Sequence, residues 1–161
     1  MRFPNILSHV GQILDTEGVH AALRFLNSRT PHRFTGIYRY DGDMLRNVYL
    51  FDLYDPGSTQ GQDVPMVDAY CANVGRAGSG IAFSNVDTDP TVETKSGSPV
   101  ISYCGALIRD ARGNPYGTLC HFDIKSCDTP VSDLPVLEDV APLIYQALVS
   151  EGLPELAGSI S

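Results

Sequence analysis

The side chains in this sequence best suited to chemistry are its cysteines: Cys71, Cys104, Cys120 and Cys127. A thiolate can act as a nucleophile, a redox centre or a metal ligand. None of the four is spaced as Cys-x-x-Cys, and no secretory signal accompanies them. Their even number is therefore weak evidence for disulfides, because reducing compartments keep thiols free. They read first as small buried apolar groups, with a redox or metal role for some of them as the alternative. A site built from Cys104, Cys120 and His121 fails on periodicity. Successive residues of a strand point to opposite faces, so Cys120 and His121 cannot share an ion without a bulge. Cys104 and Cys120 fall on strands that can be neighbours, but whether they face each other depends on register. His121 by itself reads as a hydrogen-bonded strand residue, and no metal is expected. There is no Gly-x-Ser-x-Gly, no Gly-x-x-x-x-Gly-Lys and no His pair at helical spacing. The run Gly75-x-x-Gly78-x-Gly80 precedes a strand rather than a helix, so it lacks phosphate-cradle geometry and reads as a flexible loop. No catalytic residue is assigned, and the chain is not expected to be an enzyme.

The elements that must position these residues follow from periodicity. Ile6, Leu7, Val10, Ile13 and Leu14 make one apolar stripe at helical spacing. Asp15 or Thr16 is placed to cap a second helix carrying Val19, Ala22, Leu23 and Leu26, which ends before Pro31. The period then changes to two. Residues 34–40 and 45–53 read as a hairpin around Asp41-Gly42-Asp43, with Phe34, Gly36, Tyr38 and Tyr40 on one face and Thr35, Ile37 and Arg39 on the other. Residues 55–63 form a polar loop expected to move, and 65–73 read as a helix with Pro65 in its first turn. A short strand over 81–86 and an irregular stretch over 87–99 lead to a second hairpin, 100–109 and 116–124, around Asp110 to Asn114. Ser132-Asp133 can cap a last helix over 134–149. Residues 1–151 read as one domain and 152–161 as a short flexible tail.

Composition sets the outer limits. The chain has 161 residues, 43% hydrophobic and 19% charged, enough for one self-sufficient core. Its net charge of −8 repels phosphate backbones and anionic lipid, which argues against nucleic-acid and membrane partners. No apolar run reaches the length of a bilayer span, and a cytoplasmic location is expected.

Three stretches resemble GAF domains. Tyr103-Cys104-Gly105-Ala106-Leu107-Ile108-Arg109-Asp110-Ala111-Arg112-Gly113-Asn114-Pro115-Tyr116-Gly117-Thr118-Leu119-Cys120-His121-Phe122-Asp123 is similar to that family's last hairpin, an Asp-x-x-Gly turn leading into a Gly-Thr-Leu-Cys-x-x-Asp strand. It departs at Ala106-Leu107-Ile108, where the family often has Val-Pro-Leu. Val67-Asp68-Ala69-Tyr70-Cys71 resembles an Asp-Ser-Tyr-Cys stretch common in bacterial members, and residues 30–42 resemble the first hairpin. The likeness spans about residues 10–150.

The resemblance implies an α+β fold: a GAF/PAS-like central antiparallel sheet of about six strands, with the N- and C-terminal helices packed on one face. It also implies a ligand cavity on the other face. Carried over by position, the cavity residues are Tyr38, Tyr70, Cys71, Ser84, Asp87, Tyr103 and His121. A stand-alone sensory or regulatory domain is expected, acting in signal transduction through a partner protein and forming a homodimer through its terminal helices. The ligand is unnamed and no cofactor is assigned. Bilin attachment and cyclic-nucleotide binding lack their signatures. Two alternatives remain: a scaffold module with a filled core, and a thiol enzyme like the free methionine-(R)-sulfoxide reductases built on this fold. Reductase cysteines lie in a Gly-x-Cys-Gly and a His-Ile-Ala-Cys-Asp stretch, whereas residues 78–83 and 87–98 here have none. That activity would need Cys71 and Cys104 to converge in space.

Overall fold

The computed structural model describes residues 2–127 and 133–153. Two helices, α1 (Pro4–Thr16) and α2 (Val19–Asn27), precede the hairpin of β1 (Phe34–Asp41) and β2 (Met44–Asp52). A two-residue strand β3 (Val64–Pro65) and a 3-10 turn lead to α3 (Cys71–Ala77) and β4 (Ile81–Phe83). The second hairpin, β5 (Ser102–Arg109) and β6 (Pro115–Asp123), is followed by α4 (Leu134–Ser150). The six strands form one antiparallel sheet in the order β3-β2-β1-β6-β5-β4. Both strong hairpins thus meet at its centre through β1 and β6, as the expected α+β architecture requires.

The sheet separates two cores. On one face Val10, Leu23, Leu26, Leu137, Val140 and Ile144 of the three long helices bury Ile37, Ala106, Ile108 and Leu119. On the other, α3 and its flanks pack Tyr70, Cys71 and Val74 against Tyr38, Leu45, Tyr103 and Cys120. Alternation along β1, β5 and β6 produces this division. In β2 it needs help: Leu45 and Phe51 are an even number of residues apart yet serve opposite cores. The register shift opposite Ile37 and Tyr38 leaves Val48 without a cross-strand partner, and this bulge turns the strand over.

Some local expectations are corrected. Neither Asp15 nor Thr16 caps α2. Thr16 bonds back to Gln12, and Gly18, at φ 96°, both receives the end of α1 and starts α2. Asp133 stands at the N-cap of α4, but its carboxylate does not bond the helix and is engaged elsewhere. Ser132 lies outside the described residues, as does the tail from 154 onward. The helix expected over 65–73 begins at Cys71, because Pro65 is spent in pairing with Met44 and residues 66–68 form a tighter 3-10 turn. The strand expected over 81–86 ends at Phe83.

The glycine run at 75–80, read as a flexible loop, is made of two packing points and a helix end. Gly75 lies inside α3, where a Cβ would press 2.9 Å from the Tyr40 hydroxyl. Gly78, at φ 68°, closes the helix in the left-handed region. At Gly80 a Cβ would sit 2.8 Å from the Gly105 carbonyl and 2.6 Å from Leu134. The polar loop after β2 is likewise tied down: Asp63 accepts from the Asn47 backbone and the Asn47 side chain accepts from Gly61.

Candidate functional site

On the face away from the long helices lies a cavity of about 160 Å³. Its walls include Tyr38, Tyr70, Cys71, Tyr103, Cys120 and Phe122. Three strands and one helix converge on a single residue in this wall, Cys71. The Tyr40 hydroxyl of β1 donates to the Cys71 carbonyl at 2.7 Å. The Tyr103 hydroxyl of β5 and the Thr118 hydroxyl of β6 donate to Cys71 Sγ at 3.1 and 3.0 Å. Cys120, two residues beyond Thr118 on the same face of β6, places its thiol alongside.

Glycine makes this convergence possible. A Cβ on Gly105 would collide with the Tyr103 ring, so Tyr103 can lie along its own strand and reach the sulfur only because residue 105 has no side chain. Both cross-strand partners of Cys120 are also glycines, Gly36 and Gly105, and the space over them is taken by the Tyr38 and Tyr103 rings.

The electrostatics follow from these contacts. Burial pushes the Cys71 thiol up, but hydrogen bonds from Cys120, Thr118, Tyr103 and its own backbone more than offset this, leaving it below the ordinary thiol value. Burial raises the Cys120 thiol, and the adjacent Cys71 charge reinforces that shift. Tyr103 is raised for the same two reasons, burial first. Charge is thus favoured at Cys71 over its neighbours Cys120 and Tyr103, which are both pushed up. Alkylation tests this. At neutral pH a small haloacetamide is expected to modify Cys71 before Cys120 or Cys127. The double variant Tyr103→Phe/Thr118→Val should slow the reaction by roughly tenfold, the change produced by raising a thiol by one unit. Unchanged Cys71 labelling in the double variant would show that the two hydroxyls do not support the thiolate.

Of the seven residues expected at the cavity, the structure brings together Tyr38, Tyr70, Cys71 and Tyr103. Ser84 and Asp87 lie elsewhere. Ser84 lines a different depression near Cys127, and its carbonyl accepts from the Cys127 amide. Asp87 is exposed in a turn held by Asn85. His121 points to the opposite core. Its ring is fully buried, bonded to Thr35 at 2.7 Å and Asp133 at 3.1 Å, and stacked on His32.

Cys120, Thr118 and Phe122 were missed by sequence reasoning, although they share one strand face with a two-residue period. Cys71 and Cys104 do not converge: Cys104 pairs opposite His121 and packs in the helix-side core. Among the described residues no group of three or more His, Cys, Asp or Glu side chains is arranged to hold a metal. Nor is any helix there long and apolar enough to cross a membrane.

No protein-family model and no curated protein matches this sequence. Solved structures match its fold. The GAF domain of an Acinetobacter phosphoenolpyruvate-protein phosphotransferase superposes with a TM-score of 0.69 at 11% identity, over 93% of this chain and 94% of that one. The free methionine-R-sulfoxide reductase of Neisseria meningitidis, solved with its substrate, gives 0.66 at 16% identity, over 96% and 91%. The type II free methionine-R-sulfoxide reductase of Thermoplasma acidophilum gives 0.60 at 14% identity, over 89% and 95%. Proteins with different roles thus share this arrangement, and at such identities the likeness is one of fold. With its sheet order, its helices on one face and its cavity under α3 on the other, the chain has the fold of a GAF domain.

Proposed function

We propose that this protein is a sensory or regulatory domain that binds a small, largely apolar molecule in the cavity under α3. The observation that carries the reading is the cavity itself, about 160 Å³ and walled mainly by Tyr38, Tyr70, Tyr103, Leu45 and Phe122. It has room for roughly five waters' worth of ligand, well below the several hundred Å³ of drug-sized sites. That size favours a compact apolar or aromatic compound over a nucleotide. The lining is mostly apolar and aromatic, so shape and ring contact would supply most of the selectivity.

Tyr70 connects the site to the surface. Its ring lines the cavity, while its hydroxyl accepts from the Lys95 amide in the irregular stretch between β4 and β5. A ligand that prefers one position of Tyr70 would shift that stretch by its differential affinity and no more. Signal transfer to a partner protein, self-association through α1 and α4, and a cytoplasmic setting that keeps the thiols reduced belong to the same reading. Native mass spectrometry of protein purified from its host, followed by thermal-shift screening with small aromatic and aliphatic compounds, tests it. A retained mass or a stabilising hit that Tyr70→Ala abolishes is expected. An apo mass with no stabilising hit would sink the proposal.

A second reading, thiol-dependent reduction of a small sulfoxide, is favoured by the two cysteines in the cavity wall, Cys71 and Cys120. Consumption of free methionine-(R)-sulfoxide with a dithiol reductant, lost in Cys71→Ser, would establish it. No turnover by the reduced wild-type chain would exclude it.

A further inference from the structure

Cys71 is built as more than a wall of the cavity. A neutral thiol is a weak acceptor, yet Cys71 Sγ receives two hydroxyl donors, Tyr103 at 3.1 Å and Thr118 at 3.0 Å. That surrounding suits a thiolate. A second thiol, Cys120, stands beside it, its Sγ 3.8 Å from the Gly36 carbonyl. Direct solvent contact is slight, 4% for Cys71 and none for Cys120, so reagents reach the pair through the cavity both residues line.

We propose that this cavity is a thiol oxidation site, in which Cys71 reduces a small hydroperoxide and Cys120 converts the product into a Cys71–Cys120 disulfide. In the first step the Cys71 thiolate attacks the terminal oxygen of the hydroperoxide. An S–O bond forms, the O–O bond breaks, and the alkoxide or hydroxide leaves as an alcohol or water after taking a proton. The sulfur is oxidised by two electrons to a sulfenic acid, and the peroxide is reduced by the same two. In the second step the Cys120 sulfur attacks the sulfenic sulfur. The S–S bond forms, the S–O bond breaks, and hydroxide leaves as water with the Cys120 proton. A dithiol reductant returns both thiols.

The geometry assigns separate tasks to the other two groups. Tyr103 and Thr118 act through the hydroxyls that hold the attacking sulfur as a thiolate, so they are positioning residues. Gly36 and Gly105, opposite Cys120 on both neighbouring strands, add no side chain of their own beside its thiol. Cys104 and Cys127 take no part. Cys104 packs in the helix-side core, and Cys127 sits against Asp123 at 3.7 Å. The chemistry rests on the cavity admitting small molecules, as the sensing role does, but not on any particular ligand.

The test uses the full chain, reduced and freed of reductant, and treated with one equivalent of hydrogen peroxide. It is then quenched with N-ethylmaleimide, digested and analysed by mass spectrometry. The expected product is a Cys71–Cys120 cross-linked peptide, with Cys104 and Cys127 recovered as maleimide adducts after unfolding. Cys120→Ser should accumulate a sulfenic acid at Cys71 that dimedone traps. Cys71→Ser should lower the rate of peroxide consumption by at least about tenfold. A cross-link joining other cysteines, or a Cys71→Ser chain that consumes peroxide as fast as wild type, would overturn the proposal. Labelling of folded protein by methyl methanethiosulfonate separates the two readings. Labelling at Cys71 without peroxide reactivity removes this proposal alone, whereas a Cys71 that resists labelling until unfolding removes ligand access as well.

Discussion

Gly117→Ala is expected to lower the unfolding free energy by more than about 3 kcal/mol, above the usual 1–3 kcal/mol range for an overpacked site. Gly117 lies in β6 at the centre of the sheet, paired with Arg39 of β1 on one side and Ile108 of β5 on the other. A Cβ there would fall within the van der Waals envelope of the Tyr38 carbonyl, with the Tyr38 carbonyl carbon and Arg39 Cα 2.8 Å away. These are backbone atoms, so no rotamer change relieves the clash. The only escape is to part β1 from β6, the seam that joins the two hairpins. Domains of this size are stable by only about 5–15 kcal/mol, so the variant should melt far below wild type or fail to fold. Gly11→Ala is the control. Gly11 sits in α1 with nothing within 4 Å of its missing Cβ, and alanine there should stabilise by about 0.5–1 kcal/mol. Chemical denaturation of both variants measures this. A Gly117→Ala chain within 1 kcal/mol of wild type, on the order of an ordinary surface change, would show that β1 and β6 are not held this tightly.

Acid should destabilise the protein well before its carboxylates titrate. Burial, and then the neighbouring His121, bring His32 down to about 4. Burial also lowers His121, partly opposed by its bond to Asp133. Both rings are therefore neutral in the native state at pH 7. The hydrogen-bond direction agrees: Asn27 Nδ2 donates to Thr35, whose hydroxyl donates to His121 Nδ1, leaving Nε2–H to donate to Asp133. Asp133 also receives Arg29 at 3.2 Å. The chain of bonds ties the end of α2, two central strands and the start of α4. Below the ordinary histidine value near 6.5 the unfolded chain takes up protons that the native rings refuse. Stability is then present in full above about pH 6.5 and falls as the pH drops toward 4, by roughly 2 kcal/mol or more for His32 alone at 1.4 kcal/mol per unit. The checking measurement is the denaturation midpoint in steps from pH 7.5 to 4.5, repeated with His32→Gln, whose slope should be shallower. A wild-type midpoint that stays level over that range would refute the claim. Ligand binding in the cavity should be insensitive to His121 substitutions that leave the chain folded, because that ring belongs to the other face of the sheet.

The elements with strong local signals were legible in the residues themselves. Apolar spacing placed α1, α2 and α4, and the turns at Asp41-Gly42 and at Asp110 to Asn114 placed both central hairpins, because one buried face per element imposes a period that a single chain reveals. The two-residue alternation correctly separated Phe34, Gly36, Tyr38 and Tyr40 from Thr35 and Ile37. The likeness of Tyr103 to Asp123 to a GAF hairpin added the fold.

Tertiary structure decided what depends on two segments at once. Ser84 and Asp87 were placed by analogy of position, and β4 ends before either can reach the cavity. His121 was expected at the ligand and serves the opposite core. Asp133 was expected to cap a helix and instead accepts from that histidine, because burying a ring nitrogen without a partner costs more than leaving a helix end to water. The bulge at Val48, the glycines that let Tyr103 cross Gly105, and the approach of β6 to β1 at Gly117 have no periodic signature. Each depends on an atom supplied by a distant strand.

The chemistry shows the same division. Composition supplied four thiols without ranking them, since a cysteine's reactivity depends on what donates to its sulfur. Only the register of β5 and β6, with α3 laid across them, brings two hydroxyl donors to the Cys71 sulfur and makes Cys120, rather than Cys104, its neighbour.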